Sequence, residues 1–269
     1  MDIAKPVKRN VLLNPGPATT SDAVKYAQVV PDICPREQEF VDIMTQVRKD
    51  LVKVVHGDPE KYCAVIFTGS GTIIQDVLVN SLVPDGKKIC VVNNGAYSAR
   101  MVEIAEYYHI PCVDLKFPST GLPDLEVVKE TLEKDKDIAV LATVHHETGT
   151  GVLNPIKEIG QIAHDNNAIF VVDTISTYGL LPIDIAEQNI DFLMSSAQKG
   201  LAGMTGASWT VGKIEEIEKT KDYPTRSYYC NLFMQYDFFD RVGEMHFTPP
   251  VQTMYALQQA VKEYFEEGE

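Results

Sequence analysis

Basic residues are scarce in this chain. Its 24 lysines and arginines stand against 38 aspartates and glutamates, a formal charge of −14. Phosphate backbones and anionic bilayers would be repelled, so neither nucleic acid nor a membrane surface is an expected partner. Cysteine is sparse too. Cys34, Cys63, Cys90, Cys112 and Cys230 are odd in number and form no C-x-x-C pair, which removes a disulfide framework and a zinc ribbon. Cys63, Cys90 and Cys112 lie in or beside apolar runs, where a thiol behaves as a small hydrophobe. No stretch approaches ~20 apolar residues, and the leading MDIAKPVKRN has no apolar centre for a signal peptide, so a soluble cytoplasmic protein is expected. A P-loop lysine, G-x-G-x-x-G spacing and G-x-S-x-G are all missing, as are internal repeats and low-complexity tracts. His145 and His146 are adjacent and would point to opposite faces of a strand, and His56, His109 and His164 stand apart, so no metal site is expected.

What is present is alternation. Short apolar runs at 63–68, 88–94, 110–117, 138–146, 168–173, 191–197 and 207–212 read as strands. Between them, residues 39–55, 72–83, 98–109, 124–134 and 156–167 carry helical periodicity. In the fourth of these helices Leu125, Val128 and Leu132 share a face and Asp124 can cap the start. Strand–helix alternation with strands apolar throughout predicts an α/β fold, a parallel sheet covered on both faces. Asn14-Pro15-Gly16-Pro17 reads as a turn entering the fold. A closing helix from about Val251, with Met254, Leu257, Val261 and Tyr264 as its stripe, seeks something to pack on. The expected division is an N-terminal segment 1–20, a large domain 21–250, and 251–269 as the start of a helix leading into a C-terminal domain that is missing here.

Four polar clusters fall at expected strand ends, where open parallel sheets bind ligands. Thr68-Gly69-Ser70-Gly71-Thr72 can cradle an anion on backbone N–H groups and hydroxyls, or form a tight turn with capping hydroxyls. Asp173 ends the apolar run AIFVVD, as a helix cap or as the carboxylate that keeps a pyridine nitrogen protonated. Lys199 follows a buried strand within Ser195-Ser196-Ala197-Gln198-Lys199-Gly200, either reaching solvent or serving chemistry that needs a half-buried amine. Tyr97 opens a helix, as a core aromatic or as a plate for a flat ring. Together, an amine, a carboxylate, an anion cradle and an aromatic suit an aldehyde-bearing pyridine cofactor.

In that order, LLNPGPATTS, GSGT, NNGAYSARM, HHETGTGVLNPI, VVDTIST, DFLMSSAQKG and FTPPVQT resemble the class V aminotransferases, pyridoxal-phosphate enzymes of fold type I. The resemblance runs from Leu13 onward, and GAYSARMVEIA with ETGTGVLNPI points to the branch that moves the amino group of 2-aminoethylphosphonate to pyruvate. It implies a three-layer, mostly parallel large domain and pyridoxal 5'-phosphate as cofactor. Lys199 would form the Schiff base and Asp173 bind the pyridinium, as the catalytic pair. Tyr97 would stack on one ring face and Ile175 pack on the other. Ser70, Gly71, Thr72 and Gln198 would hold the phosphate, and Thr148 would lie near the 3-hydroxyl or the substrate. Thr248 would reach the phosphate of a neighbouring subunit, which implies a homodimer. The family's substrate-gripping arginine lies in a C-terminal region beyond this chain, and Arg36 is more simply a surface ion-pair residue. Alternatives are an alanine–glyoxylate or serine–pyruvate type transaminase, a cysteine desulfurase-like lyase, or a truncated non-catalytic chain.

Overall fold

The computed structural model describes residues 10–268, so most of the leading decapeptide read for a signal sequence lies outside the described residues. Seven strands form one sheet in the order β1-β9-β8-β7-β4-β2-β3. They are β1 (Tyr62–Gly69), β2 (Lys88–Asn93), β3 (Cys112–Lys116), β4 (Ile138–Val144), β7 (Ile169–Asp173), β8 (Phe192–Ser196) and β9 (Gly206–Lys213). All seven expected apolar runs are therefore strands. Neighbours from β8 to β3 are parallel, while β9 runs antiparallel to both β8 and β1. The reversal at β9 was not legible from its apolar content. Because β9 opposes both flanking strands, β1 points the same way as β8, and its glycine-rich end reaches the same edge of the sheet.

Every residue of β8 is buried, and so are four consecutive residues of β1 and β2. Successive side chains in a strand face opposite ways, so unbroken burial means that helices cover both faces, giving three layers. Helix α2 (Gln38–Lys53) packs on β1, α3 (Gly71–Leu82) on β1, β8 and β9, α4 (Ala96–Tyr107) on β2, and α6 (Ile156–Asp165) on β4 and β7. Helix α5 (Leu125–Lys134) rests on α6 through Val128 and Leu132, and the Asp124 carboxylate caps it by accepting from Glu126 N at 3.0 Å. The closing helix α9 (Val251–Glu267) lies on α2 and β9, with Met254, Leu257 and Val261 buried in the same core as the sheet. Three further helices, α1 (Asp22–Tyr26), α7 (Ile214–Lys219) and α8 (Leu232–Val242), and a two-stranded ribbon, β5 (His146–Glu147) with β6 (Val152–Leu153), complete the set. Among the described residues no helix is long and apolar enough to cross a membrane.

One buried carboxylate ties the sheet at the edge remote from the glycine-rich turn. Asp191 accepts from Phe170 N at 2.7 Å, lies 2.9 Å from His164 Nε2, and pairs with Lys213 Nζ at 2.6 Å. Burial alone would raise its pKa, but hydrogen bonds from His164, Lys213 and Phe170 outweigh burial and hold it below the usual carboxylate range. Its stabilising effect is therefore present above the unfolded carboxylate pKa and lost as pH falls through the lower folded value. Asp191→Ala leaves Lys213 half-buried without its partner and an amide N–H unbonded. Urea unfolding at pH 7 is expected to show a loss of about 2–4 kcal/mol, shrinking in acid; an unchanged midpoint would contradict the role given to this group.

Candidate active site

The glycine-rich turn meets the end of β7 at close range. A Cβ built on Gly71 would lie 2.7 Å from Ile175 Cδ1 and 3.4 Å from Ser196 Oγ, so a larger residue at the start of α3 would push the Ile175 side chain aside. Ser70 sits at the N-cap of α3, yet its hydroxyl makes no capping bond and is exposed. The reading of this turn as a simple capped turn fails on that point, because the hydroxyls are not consumed locally. Thr72 is likewise exposed and accepts from Arg100 Nη1 at 3.3 Å. Ser196 Oγ and Gln198 Oε1 are buried without any hydrogen-bond partner. Buried polar atoms without partners are rare; the Ser196 hydroxyl can donate to an anion, whereas the Gln198 amide oxygen can only accept.

Asp173 is 2 % exposed at the end of β7. Its Oδ1 accepts from Ile175 N at 2.9 Å and its Oδ2 from Gln75 Nε2 at 2.7 Å. The bond to Ile175 is the local turn expected of a strand-end aspartate; the bond from Gln75 is not local. Burial raises the Asp173 pKa to about 6, opposed by these two hydrogen bonds and by the Arg100 charge and reinforced by the Glu147 charge. Behind it His145 N donates to Asp173 O at 2.9 Å, and the buried imidazole meets Thr177 Oγ1 at 2.9 Å. Burial and the adjacent His146 push the His145 pKa down to about 4, so this ring is neutral at pH 7.

Tyr97 lies in the first turn of α4, half-buried, with the Arg100 guanidinium 4.9 Å from its ring centroid. Its carbonyl accepts from the same Gln75 Nε2 at 3.2 Å, so one amide joins the Tyr97 and Asp173 segments. Among the described residues Arg100 pairs with no carboxylate. Arg36, by contrast, is held by Glu244 at 2.7 Å and by the carbonyls of Met245 and His246, the surface pairing expected of it. Lys199 is half-buried five residues beyond Met194, which pairs with Asp173 across the parallel strands. Gly16, at φ +131°, lies so near that a Cβ would stand 2.4 Å from Lys199 Cδ, and Ala18 N donates to Gln198 O at 2.8 Å. The N-terminal turn thus packs on the lysine, which its sequence did not disclose. Thr148 is half-buried beside Glu147, and Thr248 is exposed in the segment before α9. A cavity of about 450 Å3 lies at the opposite edge of the sheet around His164, Asp191 and Lys213, where the charges already pair with one another.

Sequence reasoning missed Gln75, Glu147, Arg100 and Gly16. Gln75 left one signal, an amide among the apolar residues Ile73, Ile74, Val77 and Leu78. Gly16 and Glu147 left none, because their partners are remote in the chain; Arg100 stands in the NNGAYSARM stretch, beside the Tyr97 ring it packs on.

The fold is that of the fold type I pyridoxal-phosphate enzymes, and alanine–glyoxylate aminotransferase from Nostoc sp. superposes with a TM-score of 0.89 at 26% identity, over 100% of this chain and 71% of that one. The family model "Aminotransferase class-V" matches residues 22–269, and the chain belongs to that family, whose cofactor is pyridoxal 5'-phosphate. Among relatives, the bifunctional phosphonoacetaldehyde hydrolase/aminoethylphosphonate transaminase of Clostridioides difficile (strain 630) is 36% identical over 96% of this chain. The chain spans 40% of that protein's length. The 2-aminoethylphosphonate–pyruvate transaminase of Lysinibacillus sphaericus (strain C3-41) is 35% identical over 96% of this chain and 70% of its own length.

The residues present fit the family's cofactor: a buried acid with raised proton affinity, unpartnered polar atoms at an anion cradle, and a glycine there that any Cβ would fill. Without the cofactor the Asp173 charge is a cost to folding. Its folded pKa of about 6 exceeds the ordinary aspartate value of 3.8, so the acid form is favoured by folding and the penalty grows as pH rises from about 4 to 6. Asp173→Asn is expected to raise the stability of the cofactor-free protein by about 1–2 kcal/mol at pH 7.5 and by nothing at pH 4. Thermal melts of both proteins across that range check it; an equal gain at both pH values would contradict the assigned pKa.

Proposed function

We propose that this chain is the large, cofactor-binding part of a transaminase that moves the amino group of 2-aminoethylphosphonate to pyruvate, giving phosphonoacetaldehyde and alanine. The observation that carries the reading is Asp173, buried with a raised proton affinity and steered by Gln75 at the strand end next to the one leading to Lys199. The substrate assignment is supported by the relatives' names and by the GAYSARM and ETGTGVLNPI stretches of this sequence.

When bound, pyridoxal phosphate supplies the aldehyde carbon that receives the amino group and the ring that accepts negative charge. Asp173 would hold a proton on the ring nitrogen, which in turn would stabilise its carboxylate in a place where the bare charge is unfavourable. Lys199 Nζ would anchor the aldehyde and, once displaced by the substrate amine, carry a proton away from the substrate carbon. Ser70, Gly71, Thr72 and Gln198 would bind the phosphate at the start of α3, where backbone N–H groups and the helix dipole favour an anion. Tyr97 and Ile175 would hold the two ring faces, and Thr148 would face the 3-hydroxyl.

Exposed Thr248 is proposed to reach a second copy, making the active form a homodimer. The stretch to residue 250 would be the large domain, with 251–269 leading onward from it. Five free cysteines suit the reducing cytoplasm, which is the proposed location. Burial lifts the thiol pKa of Cys63 to about 11 and of Cys90, Cys112 and Cys230 to about 12, which disfavours the thiolate a desulfurase-type reaction needs.

Two measurements test this on the full-length gene product. With pyruvate as acceptor, alanine is expected to form at least about tenfold faster from 2-aminoethylphosphonate than from serine; equal or faster use of serine overturns the substrate assignment. Lys199→Ala is expected to lose the visible absorption of protein-bound cofactor and nearly all turnover, and normal turnover in that variant would refute the lysine's role.

A further inference from the structure

Helix α4 begins with an anomaly in its capping. The residue before it, Gly95, has no side chain, so the N–H groups of Tyr97 and Ser98 require an acceptor from elsewhere. That acceptor is Glu147, a carboxylate with 0% exposure that arrives from β5. Its Oε1 accepts from Ser98 N at 2.8 Å and from Ser98 Oγ at 2.7 Å, and its Oε2 accepts from Tyr97 N at 3.2 Å. The fit is close enough that a Cβ on Gly95 would stand 2.4 Å from Glu147 Cδ. A serine at position 95 would cap the helix locally, with no carboxylate brought from another segment. What the remote carboxylate adds is a link between two segments. Tyr97 is on one side of it, and Thr148 is the next residue on the other. Tyr97 is then fixed at its N–H by Glu147 and at its carbonyl by Gln75, whose amide also bonds Asp173.

We infer that Glu147 is a positioning residue for cofactor binding, holding the Tyr97 ring and the Thr148 hydroxyl in fixed relation to Asp173. The inference rests on the reading of this site as a pyridoxal-phosphate site. Glu147→Ala removes both acceptors, and Glu147→Gln keeps one oxygen but turns an NH2 group toward a second N–H. Gly95→Ser, placed in the Glu147→Ala background, supplies a local cap in the space the carboxylate vacates; Gly95 is extended at φ −176°, which serine adopts.

The test measures pyridoxal-phosphate dissociation constants by equilibrium dialysis, the visible circular dichroism of the bound cofactor, and thermal stability without cofactor, all on the full chain. Glu147→Ala is expected to raise the dissociation constant about 3- to 30-fold and to weaken the circular dichroism, with Glu147→Gln in between. The Gly95→Ser/Glu147→Ala double variant is expected to regain thermal stability while affinity and circular dichroism stay impaired. Full recovery of affinity together with stability would overturn the inference, leaving Glu147 a helix cap only, as would unchanged affinity in Glu147→Ala. If Glu147→Ala does not fold, Glu147→Gln decides alone: unchanged affinity and circular dichroism overturn the inference. Failure of the unaltered chain to bind pyridoxal phosphate would instead overturn the parent reading, and this one with it.

Discussion

The arrangement depends on a carboxylate placed where water cannot reach it. Asp173 is carried to the end of a buried strand and met there, among the described residues, by two donors, Ile175 N and Gln75 Nε2. A carboxylate accepting two hydrogen bonds would ordinarily titrate low, yet burial wins and the pKa stands at about 6. Such a group is unfavourable as an anion by itself and favourable beside a protonated ring nitrogen. The same low-polarity setting that opposes the bare charge strengthens its attraction to a cation. The fold thus carries a local penalty that a cofactor of the right charge can offset.

Two side chains translate that demand into geometry. Gln75 uses one amide nitrogen for both Asp173 and the Tyr97 carbonyl, joining α3, α4 and β7 through a single side chain. Glu147 lies at the head of α4 and binds its first free N–H groups, bringing the segment after β4 against the segment after β2. These strands are direct neighbours in the sheet although β3 lies between them in sequence. The chain winds outward to β3 and then back to β4, the reversal of strand order beyond which α/β sheets generally bind their ligands. The two edges of the sheet divide the work. Asp191 pairs with Lys213 and meets His164 at the remote edge, while Ser196 Oγ and Gln198 Oε1 are buried without partners at the other.

Much of this was legible in the residue order. Seven apolar runs became seven strands because each is too short for a helix and is bounded by turn residues. The five amphipathic stretches became helices, and the Asp124 cap formed as its position before an apolar face required. The antiparallel β9 was not legible, since an apolar strand buried on both faces carries no mark of direction. The short helices α1 and α7 and the ribbon β5–β6 were missed because two to six residues are too few to show a period. The lysine and aspartate stood out as charged residues beside buried strands. Gln75 and Glu147 did not, because a polar residue in a helix or turn is ordinary until its burial is known.

Sequence alone determined the kinds of groups available: a glycine- and hydroxyl-rich turn, an aromatic, an acid and an amine in a fixed order, on elements set by local hydrophobic period. Hydrophobic pattern and turn residues act over a few positions, so a reader of the chain can follow them. Tertiary structure decided which groups are dry, and hence which are charged, and which are joined. The bond of Gln75 to Asp173, the closeness of Gly16 to Lys199 and the grip of Glu147 on α4 all arise between residues 49 or more positions apart. Burial and long-range hydrogen bonds exist only once the sheet has closed, and no local pattern encodes them.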